Sequence, residues 1–281
     1  MYKSKIVISI ILYKPSKDIW FRIRQSIGKK YVVFIFDNSP LATKCPIDIL
    51  SSPDVHYFTF GLNVGIGLAI KQMCATAYYE HIKYLVYFDQ DTVFTSDTLD
   101  YISEFVSLVE GEEGKTNKRI ERISSITFRD QKKSSCSDTF EFSGRTMQIV
   151  DFTINSGSLF FLERLKEIGW HNSKYFIDGV DYSYCLEAAA AGYYIAEING
   201  VPGLNHSIEQ GDCLHKFLGC SFVGRRYPLY RRKDFLFSSN KLIFRAMRVD
   251  ARKVLWLTRS LVLYFVIQMI IPFSHDVSRK E

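Results

Sequence analysis

The sequence predicts an α/β protein with a mostly parallel, doubly wound sheet. Three observations carry that expectation. Continuous apolar runs recur at Lys5 to Leu12, Tyr31 to Asp37 and Tyr84 to Asp89, as in strands covered on both faces. Helix-period segments alternate with them, which is the pattern of right-handed β-α-β crossovers. Asp37, Asp89 and Asp91 fall where those runs end, and doubly wound sheets bind ligands outside the carboxyl ends of their strands.

The elements follow in order. K-I-V-I-S-I-I-L is the first strand. Asp18 to Ile27 has helical spacing, and Y-V-V-F-I-F-D is a second strand, broken by Asn38-Ser39-Pro40. Val55 to Phe60 supplies a third strand. Asn63 to Ala77 is a loop feeding a helix, Tyr84 to Asp89 is the fourth strand, and Asp97 to Val109 is another helix. Gly111 to Ser137 is charged and weakly periodic, and at least part of it is expected as surface loop. Asn155 to Gly169 reads as a turn, a short strand and a short helix. Phe176 to Tyr193 is a loop entering a helix, with Gly192 where a helix C-cap glycine belongs.

Length and composition bound the function. The chain has 281 residues, 47% hydrophobic and 23% charged, enough for one large domain or two small ones and unlike a disordered chain. None of the six cysteines forms a C-x-x-C pair, so neither a zinc site nor a disulfide framework is expected, and free thiols in a reducing cytoplasm fit better. Met1 to Leu12 lacks a small-residue cleavage site and reads as the first strand, not a signal peptide.

The net charge of +6 is uneven: from His215 onward fourteen Lys and Arg face four acids, so that segment is +10 and the remainder −4. A basic segment on a slightly acidic body points to an anionic partner. It forms no recognisable nucleic-acid module, so nucleic acid is not expected as that partner. Within it, the charge-free stretch Ser260 to Phe273 is shorter than the roughly 20 residues a spanning helix needs. A helix on a membrane surface and a buried C-terminal helix both remain open, with the neighbouring Arg and Lys favouring the membrane. The expected division is a catalytic domain over 1–214 and a basic, partly helical region over 215–281.

Asp89-Gln90-Asp91 is the first candidate for chemistry. On a strand, positions i and i+2 share a face, so both carboxylates can address one divalent cation, and hard oxygen ligands suit Mg²⁺ or Mn²⁺. A helix-capping turn is the plain alternative. Asp37 could receive a nucleotide base or make an Asx-turn. Asn63, Gly65 and Gly67 open a helix and could let backbone approach an anion. Asp178 and Asp181 start another helix, where acids gain from its dipole or one serves as a general base. His206 gains weight only if the fold returns it to the acids.

The order V-Y-F-D-Q-D-T, N-S-G-S-L, F-I-D-G-V-D-Y-S-Y-C-L, G-Y and N-H resembles the inverting GT-A glycosyltransferases of family 2, and is most similar to their bacterial rhamnosyltransferase branch, which assembles O-antigens and other surface polysaccharides. The resemblance covers roughly Lys5 to Lys241. It implies Asp181 as the catalytic base, and Tyr13, Asp37, Asn63, Gly65, Asp89 and Gln90 around the donor. It further implies Ser156, Gly157 and Asp178 toward the acceptor, and Asp91 with His206 at an Mg²⁺ or Mn²⁺ ion. The implied partners are a nucleotide-diphospho-sugar donor, a polyprenyl-diphosphate-linked glycan acceptor and the inner face of the cytoplasmic membrane. Homodimerisation is left open. The chain departs from the pattern at Lys14, Ser183, Glu187 and Leu229 to Asp234. Those departures bear on sugar and acceptor, and they keep a catalytically silent scaffold as the reading of a different class.

Overall fold

The computed structural model describes residues 5–26, 31–40, 45–111, 118–130, 138–206, 213–217, 219–273 and 275–276. Contacts divide the chain into two units, the first comprising Met1–Phe176 and Val180–His206, the second Ile177–Gly179 and Ser207–Glu281. The strand Cys213–Phe217 pairs with Cys220–Gly224, inside the second unit.

The first unit begins with β1 (Ile6–Leu12), α1 (Lys17–Ser26), β2 (Val32–Asp37), α2 (Ile47–Leu50), β3 (Val55–Thr59), α3 (Ile66–Tyr79), β4 (Tyr84–Asp89), β5 (Thr92–Val93) and α4 (Ser96–Gly111). It continues with α5 (Lys118–Glu121), β6 (Ile123–Arg129), β7 (Thr139–Phe142), β8 (Arg145–Val150), β9 (Ser158–Phe161), α6 (Leu162–Ile168), α7 (Val180–Ala190), β10 (Tyr194–Asn199) and β11 (Asn205–His206). Nine strands form one sheet in the order β3-β2-β1-β4-β9-β6-β10-β8-β7. β9 and β8 run against the other seven. β1 and β2 are buried along their whole length, which is why they read as unbroken apolar runs. On α4, Leu99, Ile102, Val106 and Val109 repeat at helical spacing and, with Phe105, enter the core shared with β1, β4 and β6.

Two parts of this sheet were not legible in the sequence. The segment expected as surface loop contains β6, buried from Ile123 to Phe128. Its run I-S-S-I-T-F-R is interrupted by hydroxyl residues, which mask a buried strand. Two of those hydroxyls are satisfied internally: Thr127 Oγ1 lies 2.7 Å from Ser158 Oγ, and the Tyr184 hydroxyl donates to Ser124 Oγ at 2.8 Å. β9 inserts antiparallel between β4 and β6, within a sheet that is mostly parallel as expected. Gly192 does follow α7 in the left-handed region, at φ 81°.

The second unit contains a three-stranded sheet, β12 (Cys213–Phe217), β13 (Cys220–Gly224) and β14 (His275–Asp276), with β12 in the middle. It also contains the helices α8 (Leu229–Ala246) and α9 (Ala251–Ile270), which pack on one another. Asp250 caps α9, accepting the Arg252 N–H at 2.8 Å. Gln268 ties α9 to the segment before α8: its Nε2 donates to the Arg225 carbonyl at 2.8 Å, and its Oε1 accepts from Tyr227 N at 3.1 Å.

Candidate active site

β4 carries V-Y-F-D out of the core, and three contacts hold its end. The Asp89 N–H donates to Ser156 Oγ at 2.9 Å, and that oxygen also lies 2.7 Å from Thr92 Oγ1. The Tyr87 hydroxyl, two residues back on the same face, donates to Asp89 Oδ1. Burial pushes the Asp89 carboxyl up to about 6 and nearby Asp91 pushes the same way, while hydrogen bonding by Tyr87 and Ser156 opposes them.

Tyr87 also reports which acids converge. Its hydroxyl is held well above the ordinary tyrosine value, first by burial and then by the charges of Asp89, Asp181 and Asp91. Acids as far as 92 residues apart in the chain thus act on one hydroxyl near the carboxyl end of β4. Asp181 enters it from the first turn of α7.

The short pair β5–β11 brings in His206, which stands opposite Thr92, the residue after Asp91. Nε2 of His206 lies 3.1 Å from the Ser156 carbonyl, and donation to that oxygen assigns the ring proton to Nε2. Burial lowers the imidazole's basicity, so the neutral form with a lone pair on Nδ1 is favoured. Nδ1 is buried without a hydrogen-bond partner, 3.8 Å from Asp130 Oδ1. Asp91, by contrast, is exposed. A carboxylate and an unsatisfied imidazole nitrogen fit a divalent cation such as Mn²⁺ or Mg²⁺. Among the described residues no three His, Cys, Asp or Glu side chains form a ready-made cage. A cation held there would take its remaining ligands from phosphate oxygens and water.

The expected residues divide by placement. Tyr13 and Gln90 meet at the ends of β1 and β4: Tyr13 N donates to Gln90 Oε1 at 2.9 Å, and the Tyr13 ring is exposed. The Lys14 ammonium lies 5.4 Å from the centre of that ring. Asp37 reaches its strand end but points inward. It is fully buried, and its carboxylate accepts from Ser39 N at 2.9 Å and from the Tyr57 hydroxyl at 2.7 Å. The acid expected to receive a base therefore builds the turn, because two donors inside the fold claim its oxygens.

Asn63 and Gly65 likewise serve the chain itself. Asn63 Oδ1 accepts from Gly65 N at 2.9 Å, and Ile66 N, at the start of α3, donates to the Phe176 carbonyl at 2.6 Å. A Cβ on Gly65 would stand 2.7 Å from that same carbonyl oxygen, and one on Gly67 2.5 Å from the Tyr175 carbonyl. The glycines admit the 172–176 segment. Ser156 and Gly157, expected toward an acceptor, are tied into the fold. Both are buried, and Gly157 N donates to Tyr87 O while its carbonyl receives Phe128 N. Asp178 belongs to the second unit. There its N–H donates to Asp234 at 3.0 Å, Arg231 lies 3.8 Å from its carboxylate, and burial pushes it up to about 6 against that arginine.

Sequence reasoning missed Tyr87 and Asp130. Tyr87 was legible as the residue sharing Asp89's strand face. Asp130 follows β6 much as Asp89 ends β4, but β6 itself was not recognised. A cleft of about 460 Å³ lined by Tyr78, Tyr79, His81, Lys83 and Arg164 opens at the opposite, amino end of β4. It holds none of the acids above.

No protein-family model and no curated protein matches the chain. Solved structures do. Crystal structures of S. aureus TarS share its fold. The 1–349 form in complex with UDP-GlcNAc has TM-score 0.56 and 11% identity, over 95% of this chain and 73% of that one. The 1–349 form in complex with UDP has TM-score 0.51 and 12% identity, over 89% and 68%. TarS itself has TM-score 0.53 and 11% identity, over 95% of this chain, which spans only 44% of the TarS chain. At such identity the likeness speaks to architecture. The chain has the α/β fold of the GT-A glycosyltransferases, with a helical C-terminal extension.

Proposed function

We propose that the protein is an inverting, metal-dependent glycosyltransferase. It moves a deoxyhexose, rhamnose in the first instance, from a dTDP-sugar to a hydroxyl of a lipid-linked glycan in surface-polysaccharide assembly. The observation that carries this reading is the convergence of Asp89, Asp91 and Asp181 around the Tyr87 hydroxyl, at the strand end where this fold binds ligands. Asp91 and Nδ1 of His206 would hold the cation, which when bound offsets negative charge on a departing diphosphate. Tyr13 and Gln90 line the donor side. Ser156 positions Asp89 and the histidine together, through its hydroxyl and its carbonyl.

Asp181 accepts the proton of the acceptor hydroxyl as that oxygen attacks the anomeric carbon from the face opposite the leaving diphosphate. The carbon–oxygen bond to the diphosphate breaks as the new glycosidic bond forms, so one displacement inverts the centre. A second reading, a UDP-sugar donor such as UDP-galactofuranose or another UDP-hexose, takes its support from the UDP and UDP-GlcNAc that TarS holds.

A donor panel with Mn²⁺ tests both: dTDP-rhamnose, UDP-galactofuranose, UDP-glucose, UDP-galactose and UDP-GlcNAc, read by thermal shift and then by transfer. One donor should stabilise the protein in a metal-dependent way. Asp91→Asn should abolish the metal-dependent part, and Asp181→Asn should keep donor binding while losing transfer by roughly 10²-fold or more. Failure of every nucleotide to bind would leave the silent scaffold in its place.

A further inference from the structure

α9 is built inside out. Its inward positions include Lys253 and Gln268, both buried, together with Leu257. Its outward positions carry Leu255, Trp256, Val262, Leu263, Val266 and Met269, all exposed, with Leu255 at 72% and Met269 at 70%. Only 17% of its most apolar eighteen-residue stretch is buried. A soluble helix puts the opposite faces inward and outward. α8 repeats the arrangement: Tyr230, Phe237 and Phe244, at seven-residue spacing, are all exposed. Exposed apolar side chains in such number on two neighbouring helices mark a site that something covers.

Charge selects the occupant. Lys233, Lys241 and Arg248 on α8, and Arg252 and Arg259 on α9, are exposed on the same helices. The two acids of this hairpin are engaged elsewhere: Asp234 accepts the Asp178 N–H, and Asp250 caps α9. We propose that the exposed faces of α8 and α9 form a docking surface for an anionic lipid membrane, on which α9 lies in the interface plane. Its apolar side enters the headgroup boundary, and Arg252 and Arg259, which lie on that same side at helical spacing, extend their guanidinium groups up to the phosphates. A second copy of the chain would bring like charges together and bury them, which argues against that occupant. A transmembrane course would carry Arg259, near the middle of α9, into hydrocarbon. The inference does not rest on the transferase reading, since none of these residues belongs to the site around Asp89.

The test is flotation of the full-length protein with vesicles of phosphatidylcholine, with and without phosphatidylglycerol, at low and high salt. The expected result is binding that requires phosphatidylglycerol and weakens with salt. Arg252→Ser and Arg259→Ser should each weaken it about fivefold. Leu263→Ser combined with Val266→Ser should weaken it roughly tenfold or more, with circular dichroism and thermal midpoint unchanged because both side chains are exposed. Absence of binding to phosphatidylglycerol vesicles would overturn the proposal. So would a dimer in analytical ultracentrifugation that the Leu263→Ser, Val266→Ser variant dissolves, since the occupant would then be a second copy. Donor binding, measured in parallel without lipid, reports separately on the transferase reading.

Discussion

Ser156→Ala offers a sharp probe of how the acids are held. The side chain is buried, and its oxygen accepts the Asp89 N–H at 2.9 Å and pairs with Thr92 Oγ1 at 2.7 Å. Alanine leaves a buried backbone donor unsatisfied, at about 1–3 kcal/mol, and removes a neutral hydroxyl pair worth about 0.5–1.5 kcal/mol. The sum is about 1.5–4.5 kcal/mol, which urea denaturation resolves as a lower midpoint with an unchanged slope. Adding Thr92→Val removes the second orphan, so the double variant should be less destabilised than the sum of the singles by about 0.5–1 kcal/mol. If Ser156→Ala unfolds within about 0.5 kcal/mol of the parent, or the pair adds without coupling beyond about 0.3–0.5 kcal/mol, then Ser156 does not anchor the end of β4.

Two further outcomes follow from the first unit. His171 is buried with neither ring nitrogen hydrogen-bonded, stacked on Tyr184 at 4.8 Å, and burial lowers its basicity to about 3 from 6.5. Between those values the unfolded chain binds the proton and the folded chain does not. Stability present above pH 6.5 is therefore lost as pH falls toward 3. By pH 5 the loss is about 2 kcal/mol, and His171→Phe should remove it, flattening the decline in denaturation midpoint between neutral pH and pH 5. An unchanged decline would place the acid sensitivity elsewhere. Gly157 sits at φ 79°, and a Cβ there would stand 2.9 Å from the Phe128 carbonyl oxygen and 3.0 Å from His206 Nε2. Gly157→Ala should cost about 1–3 kcal/mol in denaturant titration and weaken Mn²⁺-dependent donor stabilisation, whereas an alanine variant with parental metal response would detach His206 from the cation site.

Much of this protein was legible in the sequence because strands β1, β2 and β4 lie in the sheet centre, where burial on both faces leaves an unbroken apolar run. Asp89 ends such a run and was legible locally, whereas β4 stops there and leaves Asp91 exposed in the turn that follows. β6 was not legible. Its Ser124, Ser125 and Thr127 look like surface residues until the fold supplies partners such as Tyr184 and Ser158 for two of them. Asp37 shows the converse: a strand-end acid whose direction was set by Tyr57 and Ser39, which sequence position does not reveal.

Local periodicity reports which face a residue occupies, and it is written into a handful of consecutive positions. Sequence by itself therefore determined the parallel strands, the acids at their ends and the basic, apolar C-terminal helices. Tertiary structure alone decided that β9 would enter antiparallel beside β4, that Ser156 would hold Asp89 from 67 residues away, that β11 would return His206 beside Thr92, and that α9 would turn its apolar side outward. Each of those outcomes depends on a hydrogen-bond or packing partner distant in the chain, and no local pattern encodes which of many chemically equivalent partners the folded chain selects.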